Sequence, residues 1–105
     1  MDEKKYELAF EIISEAGDAK SNALNAIGEI QNGNMENGEK LIKEAKASLV
    51  NAHKIQTQLI QQEVSGEPVD TNIIMVHAQD HFSMATTTID LAEIIYKLYK
   101  KLGKE

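Results

Sequence analysis

The sequence predicts an all-α fold, an antiparallel three-helix bundle, from three observations. Apolar and small residues recur every three or four positions along three long segments. Two short clusters rich in Gly, Asn, Ser and Pro separate those segments. No segment alternates polar and apolar residues as a half-buried strand does. A chain of 105 residues, 42% of them hydrophobic, fits one domain over 1-105 with a real core.

The first predicted helix covers residues 3–32, where the periodic positions run from Leu8 to Ile30. Gly17 lies inside it and costs about 1 kcal/mol relative to alanine, so it indicates a bend, a close approach of another backbone, or a tolerated glycine. The stretch 31–34, Gln-Asn-Gly-Asn, then predicts a helix-helix turn in which the glycine ends one helix and Asn34 caps the next.

The second predicted helix covers residues 35–64 and is roughly 45 Å long at about 1.5 Å per residue. It ends at 65–68, Ser-Gly-Glu-Pro, because glycine and the only proline of the chain terminate a helix. The third predicted helix covers residues 71–102, with Asp70 or Thr71 as its expected cap and lysines near its C-terminal end. Short connections between long helices favour an antiparallel bundle.

Composition and charge exclude several classes of function. The chain has 17 acidic against 11 basic residues, a net charge of -6, and all its basic residues are lysines. Nucleic acid is therefore a poor partner, since phosphate binding needs clustered basic residues and base readout favours Arg. Cysteine is absent, which removes thiol catalysis and disulfides. No stretch approaches the ~20 apolar residues of a membrane span, so we expect a cytoplasmic protein without direct membrane insertion.

Two histidines and a carboxylate concentrate in the third helix. His77, Asp80 and His81 stand at i, i+3 and i+4, so they share one helix face. That face continues the periodic stripe through Met84, which predicts that it turns inward. Titratable groups in an inward stripe are costly unless they are paired, bound to a ligand or at an interface.

Three interpretations of this cluster remain open from the residues alone. In the first interpretation, the cluster forms a hydrogen-bonded polar layer that fixes the register of the bundle. Alternatively, H-x-x-D-H resembles the H-x-x-E-H zinc motif, although a third ligand is not identifiable. In the third interpretation a neutral imidazole accepts a phosphoryl group while a neighbouring side chain selects its tautomer.

Three motifs in order resemble one known family. VHAQDH at 76–81, AHKIQT at 52–57 and AGDAKS at 16–21 look like the enzyme IIA component of the lactose/cellobiose family of the bacterial phosphoenolpyruvate-dependent sugar phosphotransferase system. The resemblance covers almost the whole chain, including the lengths of the helices. One departure is the pair Phe82-Ser83, where the family often has Leu-Met.

The resemblance implies specific roles. His77 would be the phosphoryl acceptor, supplied by the histidine-containing phosphocarrier HPr and discharged to a cysteine of the IIB component. Asp80 would lie near the axis of a homotrimer, a nine-helix bundle in which three copies bind one Mg2+. Gln79 and His81 are candidate donors to the phosphoryl group, and we favour a structural role for His53. The trimer would also supply the core that a domain of this size lacks.

The HAQDH form, with Ala78, favours cellobiose, chitobiose or another beta-glucoside as the transported sugar. The alternative from another class is a non-catalytic helical interaction protein whose His77, Asp80 and His81 form a structural metal or polar layer.

Overall fold

The computed structural model describes residues 4–103 as three α-helices joined by two short connections. Helix α1 spans Lys4–Gln31, α2 spans Met35–Val64 and α3 spans Ile73–Leu102, and the bundle measures 57 × 24 × 18 Å. No strand occurs among the described residues. The predicted all-α three-helix bundle is therefore confirmed, and the predicted helix start at residue 3 lies outside the described residues.

The α1–α2 turn depends on Gly33, whose φ of +86° lies in the left-handed region. This conformation lets the Asn34 N–H donate to the Glu29 carbonyl at 2.8 Å, so the last carbonyls of α1 are satisfied. Asn34 occupies the N-cap position of α2, but its side chain makes no capping bond and instead donates to the Glu29 carboxylate at 2.6 Å. The α2–α3 connection has the same backbone pattern around Gly66, at φ +96°.

Helix α3 begins at Ile73, two residues later than predicted. Asn72 is its cap: the backbone there is extended, and the side-chain oxygen accepts a hydrogen bond from the Met75 N–H at 2.9 Å. The prediction of Asp70 or Thr71 as the cap is wrong, because the connection runs one or two residues further before it turns into the helix.

Small residues let α1 pack closely against both other helices, while α2 and α3 contact each other less extensively. Gly38 on α2 is buried against α1, and a Cβ at this position would lie 2.6 Å from Ile30 Cγ1. The fully or almost fully buried side chains of α1 are mostly alanines: Ala9, Ile12, Ala16, Ala19, Ala23, Ala26 and Ile30. Alanine is both the best helix former and the side chain that permits the closest backbone approach.

The face of α3 that was expected to turn inward is in fact the outer face. His77, Asp80 and Met84 are exposed in the single chain, and the residues that α3 buries are Met75, Ala78, Ala85, Ile89 and Ala92. The periodic pattern predicted that the large side chains of α3 face the core. The close approach of α1 leaves room mainly for small side chains of α3 there. Although α3 exposes apolar side chains, no helix among the described residues is both long and apolar enough to span a membrane.

Polar contacts connect α2 and α3 at the end of the bundle remote from His77. The Lys46 ammonium lies 2.9 Å from the Glu93 carboxylate, and the Tyr96 hydroxyl donates a short hydrogen bond to Glu39, which also pairs with Lys43 at 3.2 Å. The Tyr96 hydrogen bond and the Lys43 charge lower the pKa of Glu39. The same hydrogen bond raises the pKa of Tyr96.

Candidate functional site

The first turns of α3 hold the two histidines of the motif in direct contact. His77 is exposed, His81 is half-buried, and their Nε2 atoms lie 3.0 Å apart. The rings are almost perpendicular, at 84°, with centroids separated by 4.5 Å. The i, i+4 spacing on one helix explains the contact, so the predicted proximity of His77 and His81 is confirmed.

The environment of His81 favours one tautomer. Its Nδ1 is buried and has no hydrogen-bond partner among the described residues. A buried N–H without an acceptor is rarer in proteins than a buried acceptor without a donor, so Nδ1 should carry the lone pair and Nε2 the proton. His81 Nε2–H then donates to His77 Nε2, which leaves the His77 proton on Nδ1. The Nε2 lone pair of His77 accepts this hydrogen bond, so it becomes the nucleophile once the His81 N–H is released from it.

Asp80 lies on the same outer face and is exposed. A single carboxylate does not make a metal site: no three His, Cys, Asp or Glu side chains come together to hold a metal ion among the described residues. A site for a divalent cation would need at least 6 oxygen ligands, some of them from other copies of the chain or from water. The magnesium prediction therefore depends on assembly.

Gln79 lies on a different side of α3 from His77. Successive residues of a helix are separated by about 100°, so residues two apart point in nearly opposite directions. The Gln79 amide forms a reciprocal pair with Gln56 of α2, with both N···O distances at 2.7 Å, and its nitrogen also lies 3.7 Å from Met75 Sδ. The structure does not bring this predicted donor next to the His77 of its own chain. Gln56 belongs to the AHKIQT motif, but nothing in the sequence pairs it with Gln79.

The third histidine is placed apart from the other two. His53 is exposed on α2 and stacks on Phe82, with ring centroids 6.1 Å apart and an interplanar angle of 27°. Phe82, the residue that departs from the family pattern, packs against the core cluster at this end of the bundle. His53 is therefore exposed and contacts Phe82, not a buried polar layer.

An apolar groove of about 340 Å³ adjoins His77 on the α1 side. Phe10 is 55% exposed and lines this groove together with Val76 and Asp80, and it also lines a neighbouring hollow beside Glu7 and Glu11. A larger hollow of about 790 Å³ lies at the opposite end of the bundle, beside the α1–α2 turn and remote from the histidines. Sequence analysis missed Phe10 because it falls outside the periodic stripe of α1.

The outer face of α3 carries one continuous exposed stripe. Its members are separated alternately by four and three residues, which is the heptad spacing of coiled-coil seams. Ile73 is 80% exposed and Ile94 is 59% exposed, although both are large apolar residues. The stripe comprises Ile73, His77, Asp80, Met84, Thr87, Leu91, Ile94 and Leu98. A contiguous exposed apolar face of this kind is typical of an interaction surface.

Comparison with known proteins agrees with these features. The family model described as "PTS system, Lactose/Cellobiose specific IIA subunit" matches residues 7–100. The chain is 38% identical to the lichenan-specific phosphotransferase enzyme IIA component of Bacillus subtilis, over 100% of this chain and 96% of that protein. It is 40% identical to the lactose-specific EIIA component of Staphylococcus epidermidis, over 90% of each.

A solved structure matches the fold over the whole chain. The crystal structure of the cellobiose-specific enzyme IIA from Bacillus anthracis superposes with a TM-score of 0.94 at 34% identity. The alignment covers 100% of this chain and 96% of that one. The arrangement of three long helices is therefore shared along its full length.

Proposed function

Because the chain belongs to the lactose/cellobiose-specific IIA family of the sugar phosphotransferase system, we propose that it is a phosphocarrier with His77 as its acceptor. It receives a phosphoryl group from HPr and passes it to a cysteine of the IIB component during sugar uptake. One observation carries the proposal: the exposed His77 has its Nε2 atom 3.0 Å from the Nε2 atom of a half-buried histidine.

The chemistry needs a nucleophile and a donor. The His77 Nε2 lone pair attacks the phosphorus of phospho-HPr, so one N–P bond forms while the N–P bond of HPr breaks. In the second transfer a IIB thiolate attacks the same phosphorus, an S–P bond forms, and the N–P bond to His77 breaks. His77 keeps its proton on Nδ1 throughout. The His81 N–H, which is within reach of Nε2, donates to a phosphoryl oxygen once the group arrives.

The surface around His77 suits a protein partner better than a small substrate. The groove is shallow and largely apolar, with Phe10 and Val76 exposed beside the acceptor. Glu7 and Glu11 line the adjoining hollow. A partner with an apolar contact ringed by basic residues would complement this surface.

We also propose assembly as a homotrimer in which Asp80 and the apolar residues of the outer stripe of α3 lie toward the axis, while His77 lies in a groove between neighbouring subunits. Large apolar residues such as Leu91 and Ile94 would be removed from water there, and each contributes about 1.5–3 kcal/mol when fully buried. Three Asp80 carboxylates would meet near the axis and repel one another. A hard divalent cation such as Mg2+, one per trimer, binds carboxylate oxygens and would relieve that repulsion.

The names of the relatives support a proposal for the class of transported sugar. Relatives of this chain are named for lichenan and cellobiose, both β-glucosides, and others for lactose. We propose cellobiose, chitobiose or another beta-glucoside for the permease that this chain serves, and a cytoplasmic location for the carrier.

Phosphorylation by phosphoenolpyruvate, enzyme I and HPr tests the function. The wild-type chain should gain one phosphoryl group that is stable in alkali and labile in acid, as a phosphohistidine is, and His77→Ala should gain none. Mass spectrometry of the intact protein measures both. His53→Ala is the matched control, because it removes an exposed histidine that lies against Phe82 instead of His77.

Labelling of His77→Ala, or no labelling of the wild type, would contradict the proposal. The alternative of a non-catalytic helical protein with a structural His/Asp layer predicts no phosphate uptake and loss of fold in His77→Gln. The exposure of His77 and Asp80 weighs against a polar layer buried within one chain.

A further inference from the structure

We propose that Gln56 is a positioning residue for phosphoryl transfer: it fixes the rotation of α3 through the Gln79 amide, so that His77 and His81 keep their places. The inference rests on the phosphocarrier function proposed above. Gln56 contacts neither His77 nor the incoming group; it acts through Gln79. In this proposal the Gln79 amide is held by Gln56 of α2, whereas the prediction from the sequence has Gln79 donate to the phosphoryl group; the experiment below distinguishes the two.

The contact between Gln56 and Gln79 satisfies all the polar atoms that face it. Each side-chain nitrogen donates to the oxygen of the other amide at 2.7 Å, and the pair is half-buried between α2 and α3. The remaining Gln79 N–H faces Met75 Sδ at 3.7 Å. Rotating Gln79 toward the phosphoryl group would leave the Gln56 amide half-buried and unpaired, which is unfavourable.

The position of the Gln56–Gln79 pair between α2 and α3 explains why a hydrogen-bonded contact matters at this site. The contact between α2 and α3 is the least extensive of the three helix pairs, so apolar packing constrains α3 less on that flank. Gln79 lies about 200° around α3 from His77 and from His81. A hydrogen-bonded contact on the flank facing α2 therefore helps to set the rotation of α3, and with it the burial of His81 on the opposite flank.

The consequence for chemistry concerns the tautomer. Burial of His81 Nδ1 selects the form in which His81 Nε2–H points at His77 Nε2. If α3 turns, Nδ1 reaches water, the second tautomer becomes populated, and the donor aimed at the acceptor nitrogen is lost for part of the time. Displacements of 1 Å in a transfer site cost up to about 100-fold in rate.

The test uses single-turnover transfer from phospho-HPr to the full chain, measured at several phospho-HPr concentrations. Gln56→Leu should lower the saturating rate about tenfold and leave the half-saturating concentration unchanged, because the groove lined by Phe10 and Val76 does not include Gln56. The double variant Gln56→Leu/Gln79→Leu should return to within about threefold of wild type, since replacing both partners by apolar groups is nearly neutral.

Two further variants control for composition and for folding. Gln58→Leu makes the same chemical change on an exposed position of α2 and should transfer at the wild-type rate. Gln56→Glu retains an oxygen that accepts from the Gln79 nitrogen, so it should keep more of the rate than the leucine variant. Circular dichroism confirms that each variant is folded at the assay temperature.

A measurement independent of transfer keeps this inference separate from the phosphocarrier proposal. The 15N chemical shifts of the imidazole rings report which nitrogen carries the proton. Gln56→Leu should shift the His81 ring toward a mixture of tautomers, and the double variant should restore the wild-type shifts. This result is expected whether or not HPr is the donor.

Two results would overturn the inference. One is a wild-type transfer rate and wild-type His81 shifts in Gln56→Leu. The other is loss of transfer in Gln79→Leu that the double variant does not recover, which would make the Gln79 amide itself a donor to the phosphoryl group, of its own chain or of a neighbouring copy.

Discussion

The two ends of the bundle carry different side chains on the same exposed stripe of α3. At the site end, which holds His77 beside the α2–α3 connection, the exposed stripe carries His77 and Asp80. At the scaffold end, which holds Tyr96 beside the α1–α2 turn, the exposed stripe carries Leu91, Ile94 and Leu98. The spacing is continuous along the stripe, so the two halves differ only in their side chains: those at the site end include titratable groups, and those at the scaffold end are apolar.

The core beneath the two ends differs as well. The scaffold end has the larger cluster of buried residues, built largely from alanines and three isoleucines, with Gly38 pressed against α1. The site end has a smaller cluster around Ile12, Leu59 and Met75, and its α2–α3 contact includes the Gln56–Gln79 amide pair. The larger core and the apolar half of the stripe therefore lie away from the end that holds His77.

The largest expected effect is at the apolar half of the stripe. Ile94→Asp would add a second ring of carboxylates, beside that of Asp80, at a level of the proposed trimer where no cation is expected, and should convert trimers to monomers. Sedimentation velocity measures the change. Val50→Asp is the control, since Val50 is 52% exposed on α2 and outside the stripe. An Ile94→Asp protein that remains trimeric would place the interface elsewhere.

The next effect tests the close packing of the scaffold end. Gly38→Ala should lower the free energy of unfolding by about 1–3 kcal/mol, because its Cβ would lie 2.6 Å from Ile30 Cγ1 and 3.3 Å from the Ala26 carbonyl oxygen. Urea denaturation measures it. Gly17→Ala is the matched control: nothing lies within 4 Å of its added Cβ, so it should stabilise α1 by up to about 1 kcal/mol. Equal effects of the two substitutions would contradict this account.

A smaller effect of opposite sign is expected at the polar half of the stripe. Asp80→Leu removes the axial repulsion of the proposed trimer, so association should be retained or strengthened and should no longer respond to Mg2+ or to a chelator. Analytical ultracentrifugation with and without the metal measures this. Asp90→Leu, which changes an exposed carboxylate outside the stripe, should leave the metal response as in wild type. Dissociation of Asp80→Leu into monomers would show that the cation is essential for assembly.

The smallest effect concerns pH at the scaffold end. The pKa of Glu39 is lowered from its ordinary 4.5, mainly by the Tyr96 hydrogen bond, so its contribution to stability is present above pH 4.5 and is lost as the pH falls through the lowered value. The pKa of Tyr96 is raised above 10.0, so that contribution is present below pH 10 and is lost as the pH rises through the raised value.

Tyr96→Phe should therefore lower the unfolding temperature slightly at pH 7, with a difference from wild type that shrinks toward pH 3. Differential scanning calorimetry over this range measures it. Tyr99→Phe is the control: it removes an exposed hydroxyl three residues further along α3 and should show no such pH dependence. A difference that stays constant from pH 7 to pH 3 would remove Glu39 from the explanation.

Much of the fold was predictable because it depends on local signals. The three periodic segments and the glycines at 33 and 66 gave the helices and the turns within one or two residues. The contact between His77 and His81 was equally predictable, since residues four apart on a helix are neighbours whatever surrounds them. The cap of α3 was missed by one or two positions, because Asp70, Thr71 and Asn72 are all good caps and only the path of the connection selects among them.

By itself, the sequence determined the helix count, the turn positions, the histidine pair and, through three motifs in order, the family. Tertiary structure decided which way α3 faces. Periodicity reveals that a helix has an apolar stripe, but it cannot say whether that stripe meets its own chain or another, and here the alanines of α1 and α3 filled the inner contact while the large side chains stayed outside. Gln56 and Gln79 are 23 residues apart along the chain, so only the packing of α2 against α3 brings them together. Gln79 does not reach His77, because side chains two apart on a helix point in nearly opposite directions.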